Sequence, residues 1–114
     1  MSHSWSSKVD GNQGEIVEAL RAVGCSVALT HRLGGGFPDI LVGYEDQEGR
    51  LVNVLMEVKV GKAKLNEREQ EWHEGWRGQV AVVRSREEAL FLVGFLDEDD
   101  IADLEMSKEA QDVV

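Results

Sequence analysis

The chain has 114 residues, enough for one domain with a single core, and 30% of them are charged. Its net charge of −10 argues against a domain that holds nucleic acid by bulk charge, and no apolar stretch approaches the ~20 residues needed to span a bilayer. A single cysteine, Cys25, excludes an intrachain disulfide framework.

The charge is unevenly spread. Residues 95–114 contain eight acids and one base, Lys108, so the preceding residues are nearly balanced and a local basic strip there is able to meet phosphates. This divides the chain into a polar leader over 1–9, a folded domain over 10–96 and an acidic tail over 97–114. The leader lacks the apolar core of a secretory signal, and with the lone cysteine this fits a reducing, cytosolic setting. Cys25 itself reads as a small buried hydrophobe.

From Asp10 to Val23, the residues Ile16, Val17, Leu20 and Val23 recur at helical spacing, with Asp10 or Asn12 as the cap and Gly24 as the stop. Residues 26–31 read as a strand, 39–44 as a second, 45–50 as a polar turn and 51–60 as a third strand. After a Gly-Lys-Ala-Lys loop, residues 66–76 form a helix with Asn66 and Glu69 as a capping box. A short strand over 79–83 follows. Ser85 and Glu88 make a second capping box that opens a helix over 86–96. The expected fold is therefore α/β, with an antiparallel three-strand meander and a last strand brought parallel to a neighbour by a helical crossover.

The stretch GGGFPDILVGY, residues 34–44, carries the chain's only proline and a lone acid, Asp39, at the mouth of an apolar strand. With the hairpin turn centred near residue 48, Asp39 falls opposite Glu57, and Lys59 shares the Glu57 face. Two carboxylates about 5 Å apart repel by ~3 kcal/mol at an effective dielectric near 20. Their flanks are apolar, so the repulsion needs relief from a shared proton, a cation between them, or Lys59. A hard divalent cation suits two carboxylates best. Such an ion activates water and polarises a phosphodiester, with Lys59 offsetting charge on the phosphate. Gly34–Gly36 allow positive φ and close approach of another backbone, here taken to be nucleic acid, while Pro38 pre-sets the strand entry. The plainer reading makes Pro-Asp a turn and Glu-x-Lys a solvated strand face. The combination, with 17 residues between Asp39 and Glu57 that read as a hairpin, is more specific.

At these residues the chain resembles the PD-(D/E)XK nuclease superfamily, through Pro38-Asp39 and Glu57-Val58-Lys59. More closely, it is similar to small phage-type VRR-NUC proteins, relatives of archaeal Holliday-junction resolvases. HRLGGGFPDILVGY, LMEVKVGKAKLNEREQEWHEGWRGQVAVVRS and DGNQGEIVEALRAVG carry the likeness over roughly residues 9–90. The resemblance implies a restriction-endonuclease-like αβββαβ core with a mixed four-stranded sheet flanked by helices. It implies a Mg²⁺- or Mn²⁺-dependent DNA endonuclease, selective for branched or junction DNA, phage- or prophage-encoded and working as a homodimer. Asp39, Glu57 and the Val58 carbonyl would be metal ligands and Lys59 the catalytic lysine. Gln13 or Glu15 would join from the first helix, where resolvase relatives commonly have a glutamate at the Gln13 position. Gln70 matches a glutamine near the site on the helix after the lysine.

Lys62, Lys64 and Arg68 follow Lys59 closely and are candidate phosphate contacts; His31 and Arg32, before the glycines, are candidate DNA contacts. His73-Glu74 is not a zinc HExxH motif, and Trp72 and Trp76, four apart, suit core or dimer packing better than base stacking. Two other functions compete with the nuclease. One is a non-catalytic DNA-binding module on the same fold, and the other an acidic interaction protein that binds no DNA.

Overall fold

The computed structural model describes residues 11–95. The expected leader, the tail, Asp10 as a cap and the end of the last helix at residue 96 lie outside these residues.

Helix α1, Gln13–Ala22, buries Ile16, Val17 and Leu20 along one stripe. It stops where expected. Gly24 takes φ 98°, its N–H bonds the Arg21 carbonyl and the Cys25 N–H bonds the Leu20 carbonyl, which satisfies two of the last free carbonyls of the helix. Its start differs from the expected cap. Asn12 occupies the N-cap position but makes no side-chain cap hydrogen bond. Its Nδ2 donates instead to the carbonyls of Arg84 (2.8 Å) and Lys59 (3.3 Å), pinning the helix to the ends of two strands.

Strands β1 (Ser26–Leu29), β2 (Ile40–Glu45), β3 (Leu51–Val58) and β4 (Val80–Val83) form one mixed sheet in the order β1-β2-β3-β4. The first three pair antiparallel, and β4 runs parallel to β3. The predicted first strand is shortened because residues 31–33 turn into a 3-10 helix. Helix α2 spans Glu67–Gly75 and α3 spans Arg86–Leu92. The protein is thus α/β, with a four-stranded mixed sheet and three α-helices among the described residues. None of these helices is long and apolar enough to cross a membrane.

Side-chain alternation divides the sheet. Ile40, Val42, Val54, Met56, Val58 and Val83 join the α1 stripe, Ala89 and Val93 of α3, and Cys25 in one core. Each large side chain fully buried there contributes roughly 1.5–3 kcal/mol. Leu55, Glu57 and Lys59 alternate with these residues and point to the other face, where α2 meets Glu57 and Lys59. The hairpin register is as predicted: Ile40 pairs with Met56 and Glu45 with Leu51.

The two capping boxes fare differently. Asn66 and Glu69 exchange both hydrogen bonds, at 2.8 and 2.9 Å, and fix the start of α2. Ser85 accepts from the Glu88 N–H, but the Glu88 carboxylate reaches past it to the Arg84 N–H, so the second box is half made.

The glycine loop also differs in what it accommodates. Thr30 closes its neck, donating from Oγ1 to the Pro38 carbonyl and from N–H to the Asp39 carbonyl, both at 2.8 Å. At Gly36 (φ 86°) a Cβ would lie 2.6 Å from the Arg68 carbonyl oxygen. The backbone that approaches there is α2 of the same chain, not nucleic acid. Gly35 (φ 66°) has no atom within 4 Å of such a Cβ. Gly35→Ala is therefore expected to cost about 1–2 kcal/mol from the unfavourable φ alone. Gly36→Ala adds a backbone clash and is expected to cost about 2–4 kcal/mol. Urea denaturation of the two variants measures the difference.

Candidate functional site

Asp39 stands one residue beyond the last regular β2–β3 pair. Its N–H donates to the Met56 carbonyl (3.1 Å), and its Oδ2 accepts from the Val58 N–H (2.7 Å). The carboxylate thus bonds the β3 backbone at the residue between Glu57 and Lys59. The predicted proximity to Glu57 is met, but from the mouth of the strand rather than as a regular opposed pair. The two carboxyls are close enough for the Asp39 charge to act on Glu57.

Glu57 is 3% exposed, and its Oε1 has no hydrogen-bond partner. Its pKa is pushed up to about 9, first by burial, then by the hydrogen bond to Asp39, then by the charges of Asp39 and Glu69, with Lys59 opposing. Burial and the neighbouring acids therefore favour the protonated carboxyl of Glu57.

Lys59 Nζ lies 2.8 Å from Glu69 Oε1, and both side chains are largely buried. Burial raises the Glu69 carboxyl, but the hydrogen bond from Lys59, the Asn66 N–H and the lysine charge outweigh it and hold its pKa below the usual range. One turn along α2, His73 Nε2 lies 3.7 Å from Glu57 Oε1. Burial lowers the pKa of this imidazole; the charge of Glu69 opposes that shift and the charge of Lys59 adds to it. Phe37 packs edge-on against Trp72 at 4.9 Å between ring centroids, and Trp72 stacks on Trp76 at 4.6 Å. This aromatic group joins the loop that carries Asp39 to the helix that carries Glu69 and His73.

The remaining predicted residues separate cleanly. Gln13, next to the pinned Asn12, is 4% exposed, and its Oε1 has no hydrogen-bond partner. Glu15 is 57% exposed and lies 3.5 Å from Arg86, so of the two α1 candidates only Gln13 turns inward. Gln70 is exposed and donates to Glu74, four residues along α2. Lys62, Lys64, Arg68 and Arg32 are exposed, and His31 is half-buried. Arg84 holds the loop before α2 by donating from Nη1 to the carbonyls of Gly61 (2.9 Å) and Ala63 (2.7 Å).

Sequence reasoning missed Glu69 and His73 as parts of the site. Glu69 was visible only as a capping residue. The available signal was their i, i+4 spacing, which puts both on one side of a helix that follows Lys59.

Among the described residues, no group of three or more His, Cys, Asp and Glu side chains forms a ready-made metal set. The oxygens at hand are the Asp39 and Glu57 carboxylates and the Val58 carbonyl. One of these atoms, Glu57 Oε1, is buried without a hydrogen bond, a state that costs stability until a donor or cation satisfies it. Hard oxygen donors of this kind fit Mg²⁺ or Mn²⁺.

No family model, curated protein or solved structure matches the chain.

Folding raises the Glu57 pKa, so the folded protein keeps a proton that the unfolded chain releases. That contribution to stability is complete below about pH 4.5 and is lost as pH rises towards about 9. Metal-free protein is expected to lose stability across this window by at most about 1.4 kcal/mol per pH unit from this group. Glu57→Gln is expected to flatten the slope, as read from urea midpoints at pH 5, 7 and 9 in chelator.

Proposed function

We propose that the protein is a divalent-metal-dependent DNA endonuclease of the PD-(D/E)XK type, with a restriction-endonuclease-like core. The observation that carries this reading is the buried Glu57 with Asp39 bonded through Oδ2 to the adjacent Val58 N–H, and Lys59 just beyond the end of the same strand. A pair of acids gathered on an apolar strand is costly as a purely structural device. It becomes favourable once a cation shares the charge.

Asp39, Glu57 and the Val58 carbonyl are the proposed ligands, with the buried Gln13 of α1 as a further candidate. A divalent cation bound there supplies Lewis-acid polarisation of the phosphodiester. Asp39 is oriented by the Val58 N–H, so its free oxygen has a fixed direction. Lys59 offsets negative charge on the phosphate as the bond to the leaving oxygen breaks. Glu69 positions the lysine, and the Asn66 cap in turn positions Glu69. Lys62, Lys64 and Arg68 supply exposed positive charge for the DNA backbone, and His31 and Arg32 are the proposed contacts before the glycine loop. Branched or junction DNA as the preferred substrate and a homodimer as the working unit belong to the same proposal and rest on the resemblance alone.

One observation favours a second reading, a DNA-binding module that does not cut. Lys59 is already committed to Glu69 at 2.8 Å, and a lysine held in this way is less available to substrate.

The test compares linear, flapped and four-way DNA with and without Mg²⁺ or Mn²⁺. Cleavage is expected only with metal. Lys59→Ala is expected to slow it by ~10²-fold or more with an unchanged circular dichroism spectrum. A Lys59→Ala protein that cuts at the wild-type rate removes the lysine from the mechanism. Tight binding without cleavage across substrates and metals supports the second reading.

A further inference from the structure

The proposed chemistry leaves one group beside Glu57 unused. His73 is carried on α2, one turn after Glu69, with a side chain only 12% exposed. Its Nε2 is buried and makes no hydrogen bond. It lies 3.7 Å from Glu57 Oε1, which is also buried and makes none. This separation is too long for a direct hydrogen bond. It is also short for a bridging water, whose two hydrogen bonds of about 2.8 Å set the bridged atoms more than about 4 Å apart. A cation bound at about 2.1 Å from each ligand sets neighbouring ligands about 3.0–3.4 Å apart. Closing the observed gap to that spacing takes a few tenths of an ångström.

The surroundings favour a fixed imidazole. The Asn66–Glu69 capping box sets the first turn of α2, and the Phe37–Trp72 contact sets the rotation of the helix next to His73. Asp39 is bonded to the Val58 N–H, the residue after Glu57, so a cation between Glu57 and His73 has a second acid at hand.

We propose that His73 is a nitrogen ligand of the divalent cation at the Asp39–Glu57 site, and that it makes the site favour transition metals over Mg²⁺. The inference rests on the reading of Asp39 and Glu57 as metal ligands. Mg²⁺ prefers oxygen ligands and keeps its waters. A neutral imidazole strengthens binding of first-row transition metals, rising from Mn²⁺ to Co²⁺.

The experiment measures binding rather than cleavage. Mg²⁺, Mn²⁺ and Co²⁺ are titrated calorimetrically into the full chain, and Mn²⁺ is probed for nitrogen coupling by pulsed electron paramagnetic resonance. The wild type is expected to bind Mn²⁺ at least ~10-fold tighter than Mg²⁺, with Co²⁺ tighter still, and to show one coupled nitrogen. His73→Gln is expected to lose the coupling and to bring the Mn²⁺ and Mg²⁺ affinities together, with its thermal unfolding confirming a folded chain. Unchanged selectivity and coupling in His73→Gln overturn the inference, as they would if His73 only accepts a proton. Asp39→Asn separates the two levels. If it abolishes metal binding while His73→Gln changes nothing, the inference fails and the reading beneath it stands. If Asp39→Asn binds metal as the wild type does, the reading itself fails.

Discussion

Glu57 occupies a position where a negative charge has no water to solvate it and a second acid for a neighbour. Burial and the charges of Asp39 and Glu69 favour the protonated form, and only the Lys59 charge opposes it. Much of the surrounding architecture bears on this conflict. Asp39 is tied to the strand backbone through Val58, so it cannot swing away. Lys59, two residues along, is drawn aside by Glu69, so its charge is shared rather than spent wholly on Glu57. The core face of the same strand is apolar and closely packed, which holds β3 in register while its other face carries the acids.

Helix α2 connects these parts. Its capping box makes Glu69 do two jobs, accepting from the Asn66 N–H and pairing with Lys59. A local device for starting a helix is thereby coupled to a long-range ion pair. Double use of this kind ties the orientation of the lysine to the integrity of the first helical turn. Asn12 works in a similar way from the opposite side of the sheet. It gives up its capping role and uses its amide to hold the ends of β3 and β4, next to the buried Gln13.

Much of this was legible in the residues. Period-two alternation and a polar turn placed β2 and β3 in the right register, and that brought Asp39 and Glu57 together. Helix spacing marked the α1 stripe, and Gly24 marked its end. Other features depended on contacts between distant segments. Asn12 reads as a cap because capping is local, but two strand carbonyls in need of a donor compete for it. Gln70 and Glu69 are adjacent in sequence, and only the roll of α2 on the sheet decides which of them reaches Lys59. The glycines were read as room for a ligand. At Gly36 the space is taken by the chain itself, because α2 packs back onto the loop that precedes β2.

That contact at Gly36 has a mechanical side. With the Arg68 carbonyl against the glycine and Phe37 seated on Trp72, the Pro-Asp loop and the helix have no slack between them. They form a single jaw rather than two opposing lips. A displacement of the helix start would reach Asp39 through both contacts. The orientation of the acid at the strand mouth is in this way bound up with the seating of a helix that lies far from it in sequence.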